Sequence, residues 1–339
     1  MENKSKILIT GGAGFCASHL VEHWLKNTND DIIVLDKLSY ASSGLDRLRD
    51  IKAFDENRVK MFAVDLQLPL SEGVKQEIGE VDYILNLASE SHVDRSIADP
   101  VNFIENNVKL VLNMLEWART LKGLKKFIQF STDEVFSTAP EGVAYKEGDR
   151  HCSANPYAAS KDAQESICRA YANTYSLPIN ITNSSNIIGE RQHPEKFVPL
   201  CIKKILNGEV MKIHSNPEQT KAGTRYYLHA RNIAKALQFI LEETDEKLDK
   251  VDASLGCWNI IADEEVDNLS MFLKIAKIMG KEGKYEFVNF HQSRPGHDLN
   301  YRLSGDKLVS KGFKYPIDLE TSLTKTVLWT LKEENSKWL

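Results

Sequence analysis

The sequence predicts an α/β protein built on a doubly wound parallel sheet, with a smaller mixed α/β unit beside it. Three observations predict this. Short β-rich runs alternate with longer segments of helical period through the first half, which argues for βαβ units. Several of those runs, such as Ile32-Ile33-Val34-Leu35, are apolar throughout, as strands covered by helices on both faces are. The second half loses that regularity. Strands are expected in order at 6–10, 31–36, 58–64, 81–87, 125–130 and 179–183, with helices between them at 15–26, 45–49, 71–78, 100–121 and 156–175. Residues 186–222, rich in Pro, Gly, Asn and Lys, read as a loop-and-helix region over a site. A helix at 230–243 returns to the sheet, and mixed elements at 257–261, 267–279, 285–289 and 318–332 form the smaller unit. Leu110, Met114, Trp117 and Leu121 recur at helical spacing and suit either a core or an interface.

The 339 residues are 42% hydrophobic and carry a net charge of −5, so the overall charge attracts neither nucleic acid nor an anionic membrane. Any anionic ligand then has to be held locally. No apolar stretch approaches the ~20 residues of a membrane span, and the first residues lead straight into a strand, so no cleavable signal is expected. Cys16, Cys152, Cys168, Cys201 and Cys257 are scattered and never form a C-x-x-C pair. That fits a reducing, cytoplasmic setting without a thiolate zinc site. No cluster of His, Cys or carboxylates has metal spacing, and the charge run 242–250 reads as a solvated helix end and loop.

The first strand runs at once into Gly11-Gly12-Ala13-Gly14-Phe15-Cys16. Glycines there allow a tight strand-to-helix turn and let the backbone approach a pyrophosphate at the N-terminus of the helix at 15–26. Asp36 ends the second strand, where a carboxylate accepts hydrogen bonds from ribose hydroxyls and repels a 2′-phosphate. NAD is therefore favoured over NADP, although a plain strand-end turn also accounts for Asp36. Asp65-Leu66, after the third strand, suits an adenine contact or a turn almost equally. Leu87-Ala88-Ser89 closes the fourth strand on the side where such sheets bind ligands. Gly11, Gly14 and Asp36 together point to a Rossmann-like dinucleotide site.

Ser131-Thr132-Asp133-Glu134 follows the fifth strand, and Tyr157 and Lys161 share one face of the helix at 156–175. A nearby ammonium, with a positive nicotinamide above, would lower the phenol's pKa toward neutrality. Tyr157 is then a candidate base for a substrate hydroxyl whose carbon gives up hydride, with Thr132 hydrogen-bonding to the same oxygen. Asp133 and Glu134 can face one pocket, where mutual repulsion and partial burial would separate a proton donor from a base. From residue types and spacing alone, a solvated Asp-Glu turn explains the pair equally well.

Residues 10–19 with Asp36, 131–135 and 157–161 resemble the extended short-chain dehydrogenase/reductase superfamily. The Thr132-Asp133-Glu134 triplet resembles its nucleotide-sugar 4,6-dehydratases, and 89–97, 182–186, 194–196 and 294–298 match in the same order. The resemblance implies a tightly held NAD contacted by Gly11, Gly14, Phe15, Cys16, Asp36, Lys37, Asp65, Leu66, Leu87, Ala88, Ser89, Tyr157 and Lys161. It implies oxidation at carbon 4 by Tyr157 with Lys161 and Thr132, removal of the carbon-5 hydrogen by Glu134, and protonation of the departing 6-hydroxyl by Asp133. Hydride then returns to carbon 6. Ser91, His92, Asn186, Glu195, Lys196, Arg225, Asn232, Arg294 and His297 are the implied contacts to the sugar nucleotide. Lys196, Arg225 and His297 each also have an ordinary surface reading, and His92 and His193 fit core or loop packing as well as the pocket.

The resemblance also implies a homodimer through the helices at 100–121 and 156–175. Residues 1–185 with 226–250 would form the NAD-binding domain, and 186–225 with 251–339 the nucleotide-sugar domain. Departures from the family pattern are Ala17 for a third glycine, Phe136-Ser137 where Tyr-Gly is usual, Arg231-Asn232 for an acidic pair, and a longer segment between Ile213 and Arg225. Phe136-Ser137 is expected to alter the pocket wall. The longer segment leaves thymidine and uridine nucleotides both open. A 4-epimerase or decarboxylase of the same superfamily is the nearer rival, and a non-catalytic NAD-sensing protein the remote one.

Overall fold

The computed structural model describes residues 4–289 and 300–339, so Arg294 and His297 lie outside the described residues. The strands are β1 (Lys6–Thr10), β2 (Asp31–Asp36), β3 (Val59–Ala63), β4 (Tyr83–Asn86), β5 (Lys126–Thr132), β6 (Ile179–Ser184), β7 (Asn186–Ile188), β8 (Val210–Ser215), β9 (Thr224–His229), β10 (Cys257–Ile260), β11 (Glu265–Asp267) and β12 (Lys284–Asn289). The helices used below are α1 (Phe15–Asn27), α2 (Asp46–Asp50), α3 (Glu72–Ile78), α4 (Val93–Ala98), α5 (Pro100–Ala118), α6 (Pro156–Tyr175), α7 (Phe197–Leu206), α8 (Ala230–Glu243), α9 (Asn268–Ile278), α10 (Asp306–Ser310) and α11 (Leu319–Thr330).

The main sheet has seven parallel strands in the order β10-β6-β5-β4-β1-β2-β3. Winding proceeds to one side through β2 and β3, then to the other through β4, β5 and β6. The connections therefore part between β1 and β4, and a crevice opens there above the carboxyl ends. Alternate residues of β1 serve opposite faces. Ile7 and Ile9 join Leu20, Trp24, Ile233 and Leu237 beneath α1 and α8, whereas Leu8 joins Ile84, Phe127 and Met114 beneath α5 and α6. Both faces are covered, so the strand must be apolar at each of these positions.

The sequence-based division of the chain needs two corrections. β10, expected in the smaller unit, is the edge strand of the main sheet and pairs with β6. At four residues its run is too short to signal which sheet it joins. β9 overlaps the range expected with the NAD-binding domain, yet it pairs with β7 and β11 in a separate three-stranded sheet. The smaller unit has its own core, in which Val198 and Ile202 of α7 meet Phe272 and Ile275 of α9 and Val327 of α11. Leu308 of α10 returns to the core of the main sheet.

The stripe on α5 is settled as core. Leu110, Met114 and Trp117 are buried, and Leu121 packs against the same cluster. Met114→Ala should therefore cost about 3 kcal/mol by urea denaturation, as truncation of a buried side chain does. The loss should be the same at every protein concentration.

Candidate active site

The turn after β1 is shaped by its glycines. Gly11 has φ +68°, and a Cβ there would also lie 3.0 Å from the Ala88 Cα at the end of β4. A Cβ on Gly14 would meet the Gly11 carbonyl at 2.9 Å, the group that accepts the Gly14 N–H at 2.8 Å. Asp36 closes the turn from β2, its carboxylate accepting the Ala13 N–H at 3.0 Å and the Leu38 N–H at 2.7 Å. Burial pushes the Asp36 pKa up, while those two amides and the Arg47 guanidinium pull it down. Asp36 is thus both a strand-end turn residue and an acceptor on the pocket wall.

A cavity of about 370 Å³ occupies the crevice, within the range of small-molecule and cofactor sites. Gly11, Gly14, Phe15, Cys16, Asp36, Lys37, Asp65, Leu66, Leu87, Ala88 and Ser89 line it on one side. Lys37 is held by Glu90 at 2.8 Å and Asn106 at 2.9 Å. Asp65 accepts the Gln67 N–H at 2.9 Å, closing a turn. The glycine cradle at the N-terminus of α1, with a carboxylate at the end of β2, fits a dinucleotide.

The same cavity is lined by Thr132, Asp133, Glu134, Tyr157 and Lys161. Thr132 ends β5 and caps a short 3₁₀ turn, Asp133–Phe136. Its Oγ1 donates to Asp133 Oδ1 at 3.1 Å and accepts the Glu134 N–H at 3.3 Å. Burial, and then the neighbouring Glu134 carboxylate, push Asp133 up to about 7, with Arg225 opposing. Glu134 is half-buried and accepts from Asn155 Nδ2 at 3.1 Å. Asn155 also caps α6 by accepting the Ala158 N–H at 2.8 Å, so one side chain ties Glu134 to the start of the helix that carries Tyr157. Its sequence signal is an Asn just before the first-turn Pro156.

The phenol departs from the sequence-based expectation. Burial, Glu134 and Asp133 hold the Tyr157 pKa above its ordinary value, and a hydrogen bond with Thr132 is the lowering influence. Lys161 is turned toward the sheet, where Nζ donates to the Phe130 carbonyl and to Gln164 Oε1, each at 2.7 Å. Burial brings its own pKa down to about 8. Burial, more than any neighbouring charge, thus holds the phenol up.

On the opposite side, Ser91, Asn186, Glu195 and Lys196 line the cavity. Glu195 lies 3.4 Å from His92 Nε2 and 3.5 Å from both His193 Nδ1 and Tyr40 Oη. Three expected contacts, His92, Arg225 and Asn232, stand outside the lining, and His92 is placed behind it against Glu195. Arg225 donates to the Thr224 carbonyl at 2.7 Å and stacks over Tyr301, 4.6 Å from its ring centre. Asn232 is buried on α8 and donates to the Ile317 carbonyl at 2.7 Å, fastening the C-terminal segment.

Phe136 also faces away from the cavity, packing against Tyr145 and His151 at ring separations of 5.4 and 4.8 Å. Ser137 nevertheless keeps the glycine-type φ of +65°. The long segment after Ile213 closes on itself through Asn216, which accepts the Thr220 and Lys221 amides, and none of 213–225 lines the cavity. Sequence reasoning missed Tyr40, Ser184, Ser185, Gln192 and Tyr227 in the wall. Ser184 and Ser185 had a signal, since Ser184 ends β6 at the carboxyl edge and Ser185 follows it. Among the described residues no group of three His, Cys, Asp or Glu could hold a metal, and no helix is long and apolar enough to cross a membrane.

A switch-point crevice with a glycine cradle and a Tyr-Lys pair defines an NAD-dependent extended short-chain dehydrogenase/reductase. Residues 7–256 match the model of the NAD dependent epimerase/dehydratase family, and the chain belongs to that family. A dTDP-glucose 4,6-dehydratase of Escherichia coli is 33% identical over 357 residues, covering 98% of this chain and 94% of that protein. The low-salt glycan biosynthesis protein Agl12 of Haloferax volcanii is 32% identical over 329 residues, covering 97% and 99%. The crystal structure of DesIV, a dTDP-glucose 4,6-dehydratase from Streptomyces venezuelae with NAD and TYD bound, superposes with a TM-score of 0.84 at 31% identity over 98% of both chains. A UDP-glucuronic acid 4-epimerase from Bacillus cereus shares the fold, with a TM-score of 0.82 at 23% identity over 96% of this chain and 98% of that one.

Asp36→Ala should weaken NAD binding at least about tenfold, the scale of a lost hydrogen bond to a charged group. Calorimetric titration checks it, and the variant should also melt lower because the Ala13 and Leu38 amides lose their acceptor.

Proposed function

We propose that the chain is a hydro-lyase that converts a nucleoside-diphosphate glucose to its 4-keto-6-deoxy derivative. The observation that carries this reading is the acid pair: Asp133 and Glu134 line one cavity with Tyr157, and Asp133 holds its proton up to about pH 7. A 4-epimerase, the runner-up, has no water to expel and no use for a second proton donor. The relatives named for dTDP-glucose support a thymidine nucleotide, with UDP-glucose as the alternative.

NAD, held by the glycine cradle and Asp36, would supply a hydride acceptor for carbon 4 and the same hydride again for carbon 6. Thr132 Oγ1 and Tyr157 Oη bracket the 4-oxygen, and the phenol takes its proton while the Lys161 ammonium offsets the charge. A ketone at carbon 4 acidifies the hydrogen on carbon 5, which Glu134 removes, steadied by Asn155. Asp133 gives its proton to the leaving 6-hydroxyl, and water departs. Two neighbouring carboxyl groups with separated pKa values are suited to one acid step and one base step. The cycle is redox neutral, and an enclosed cavity protects the unsaturated ketone from water.

Lys196 and Ser91 would face the diphosphate and Asn186 and Glu195 the sugar, with Arg294 and His297 as further phosphate contacts. Arg225 would act through its charge on Asp133. The NAD-binding domain is read as the seven-stranded sheet with its helices. The enzyme is read as cytoplasmic and dimeric, joined by the outer faces of α5 and α6, where half-buried Ile104, Val108 and Leu112 make an apolar row.

With NAD and dTDP-glucose or UDP-glucose, alkaline treatment should reveal a 4-keto product absorbing in the near ultraviolet. Absence of product from every glucose nucleotide would refute the reading. Glu134→Gln should still oxidise carbon 4 slowly, seen as NADH absorbance in a single turnover, but form no 6-deoxy product. Turnover should fall as pH rises through about 7, where Asp133 loses its proton. Its folded pKa is raised, so the stability linked to that proton is full below the ordinary carboxyl value and lost as pH rises through about 7. Asp133→Asn should therefore be inactive yet melt higher than the unsubstituted chain at pH 8.

A further inference from the structure

Lys161 is held from beneath the cavity by uncharged side chains that the steps above do not use. Gln164, one turn further along α6, accepts from Lys161 Nζ at 2.7 Å and from Gln129 Nε2 at 3.0 Å through the same oxygen. Its own Nε2 donates to the Asn107 carbonyl of α5 at 2.7 Å. Gln129 Oε1 accepts from Asn86 Nδ2 at 2.7 Å, and Asn86 Oδ1 accepts from Thr10 Oγ1 at 2.7 Å. The Thr10 oxygen in turn accepts the Ala88 N–H at 2.9 Å, at the lip of the glycine cradle. Thr10, Asn86, Gln129 and Gln164 are all fully buried. Burying polar groups at this density is costly unless each finds its partner. Here every amide is also oriented by its neighbours. Turned over, the Gln164 amide would set its NH₂ against the Lys161 ammonium and against the Gln129 NH₂.

We propose that Gln164 is the positioning residue of Lys161, its oxygen fixing the ammonium on Tyr157's face of α6 while the Thr10–Asn86–Gln129 row fixes that oxygen. The inference rests on reading Tyr157 and Lys161 as the proton-handling pair. A neutral amide sets direction without adding charge. The ionisable groups facing Lys161 are Glu165 and Cys168 from its own helix. β5 offers it the Phe130 carbonyl and, through Gln164, the Gln129 amide, and α5 offers the Asn107 carbonyl, none of them titratable. Tyr157 itself faces Glu134 and Asp133. A carboxylate at 164 would add a negative charge beneath the pair. It would keep Lys161 charged to higher pH and make Tyr157 release its proton at higher pH.

The test follows the Tyr157 phenolate by ultraviolet absorbance in the NAD-bound enzyme, as the difference from Tyr157→Phe, across pH. Gln164→Glu, which keeps the side chain's shape, should move that titration up by about one pH unit. Gln164→Met, which keeps its length and loses the acceptor, should lower kcat about tenfold and leave the substrate KM within twofold, because residue 164 does not line the cavity. A folded Gln164→Glu that titrates like the unsubstituted chain, or a folded Gln164→Met with unchanged kcat, overturns the proposal. If the unsubstituted chain forms no 4-keto product, the reaction assignment fails, and the phenolate titration still decides the placement of Gln164.

Discussion

The parting of the chain between β1 and β4 governs the rest of the molecule. Elsewhere along the sheet, helices cover both faces. At this one place the crossovers run to opposite sides, and the carboxyl ends of β1, β2, β4, β5 and β6 stand around a shared space. Past the strand ends some backbone amides donate to side chains, the Ala88 N–H to Thr10 Oγ1 and the Ala13 N–H to the Asp36 carboxylate.

Placing charge in such a space carries a cost, visible in opposite directions at two residues. Burial moves Asp133 up and Lys161 down, each toward its neutral form. These are the displacements that acid-base work near neutral pH calls for. Tyr157 shows the limit of reasoning from one neighbour. The lysine one turn away is bonded to the Phe130 carbonyl, while burial, and then two carboxyl groups, hold the phenol up in the protein alone.

Much of this was legible in the sequence because it follows from local rules. The glycine turn, Asp36 at the end of a strand, and Tyr157 with Lys161 on one helix face depend on residues close in the chain, and the cavity contains them all. What escaped depends on pairing across long separations. β10 joins the main sheet through β6, which its own four residues cannot announce. Asn232 reads as a polar residue near a phosphate, and only the return of the C-terminal segment reveals Ile317 as its partner. Phe136 was expected in the pocket wall because it stands where the family has Tyr, but the 3₁₀ turn points it the other way, into a cluster with Tyr145 and His151.

The double engagement of Asp36 has an evolutionary corollary. In dinucleotide folds an acid at the second strand suits NAD, and an arginine nearby accommodates the 2′-phosphate of NADP. In this chain that acid is also a strut of the loop whose geometry any coenzyme needs, through its bonds to Ala13 and Leu38. Any substitution at position 36 would therefore have to rebuild the strut, because both carboxylate oxygens hold the turn.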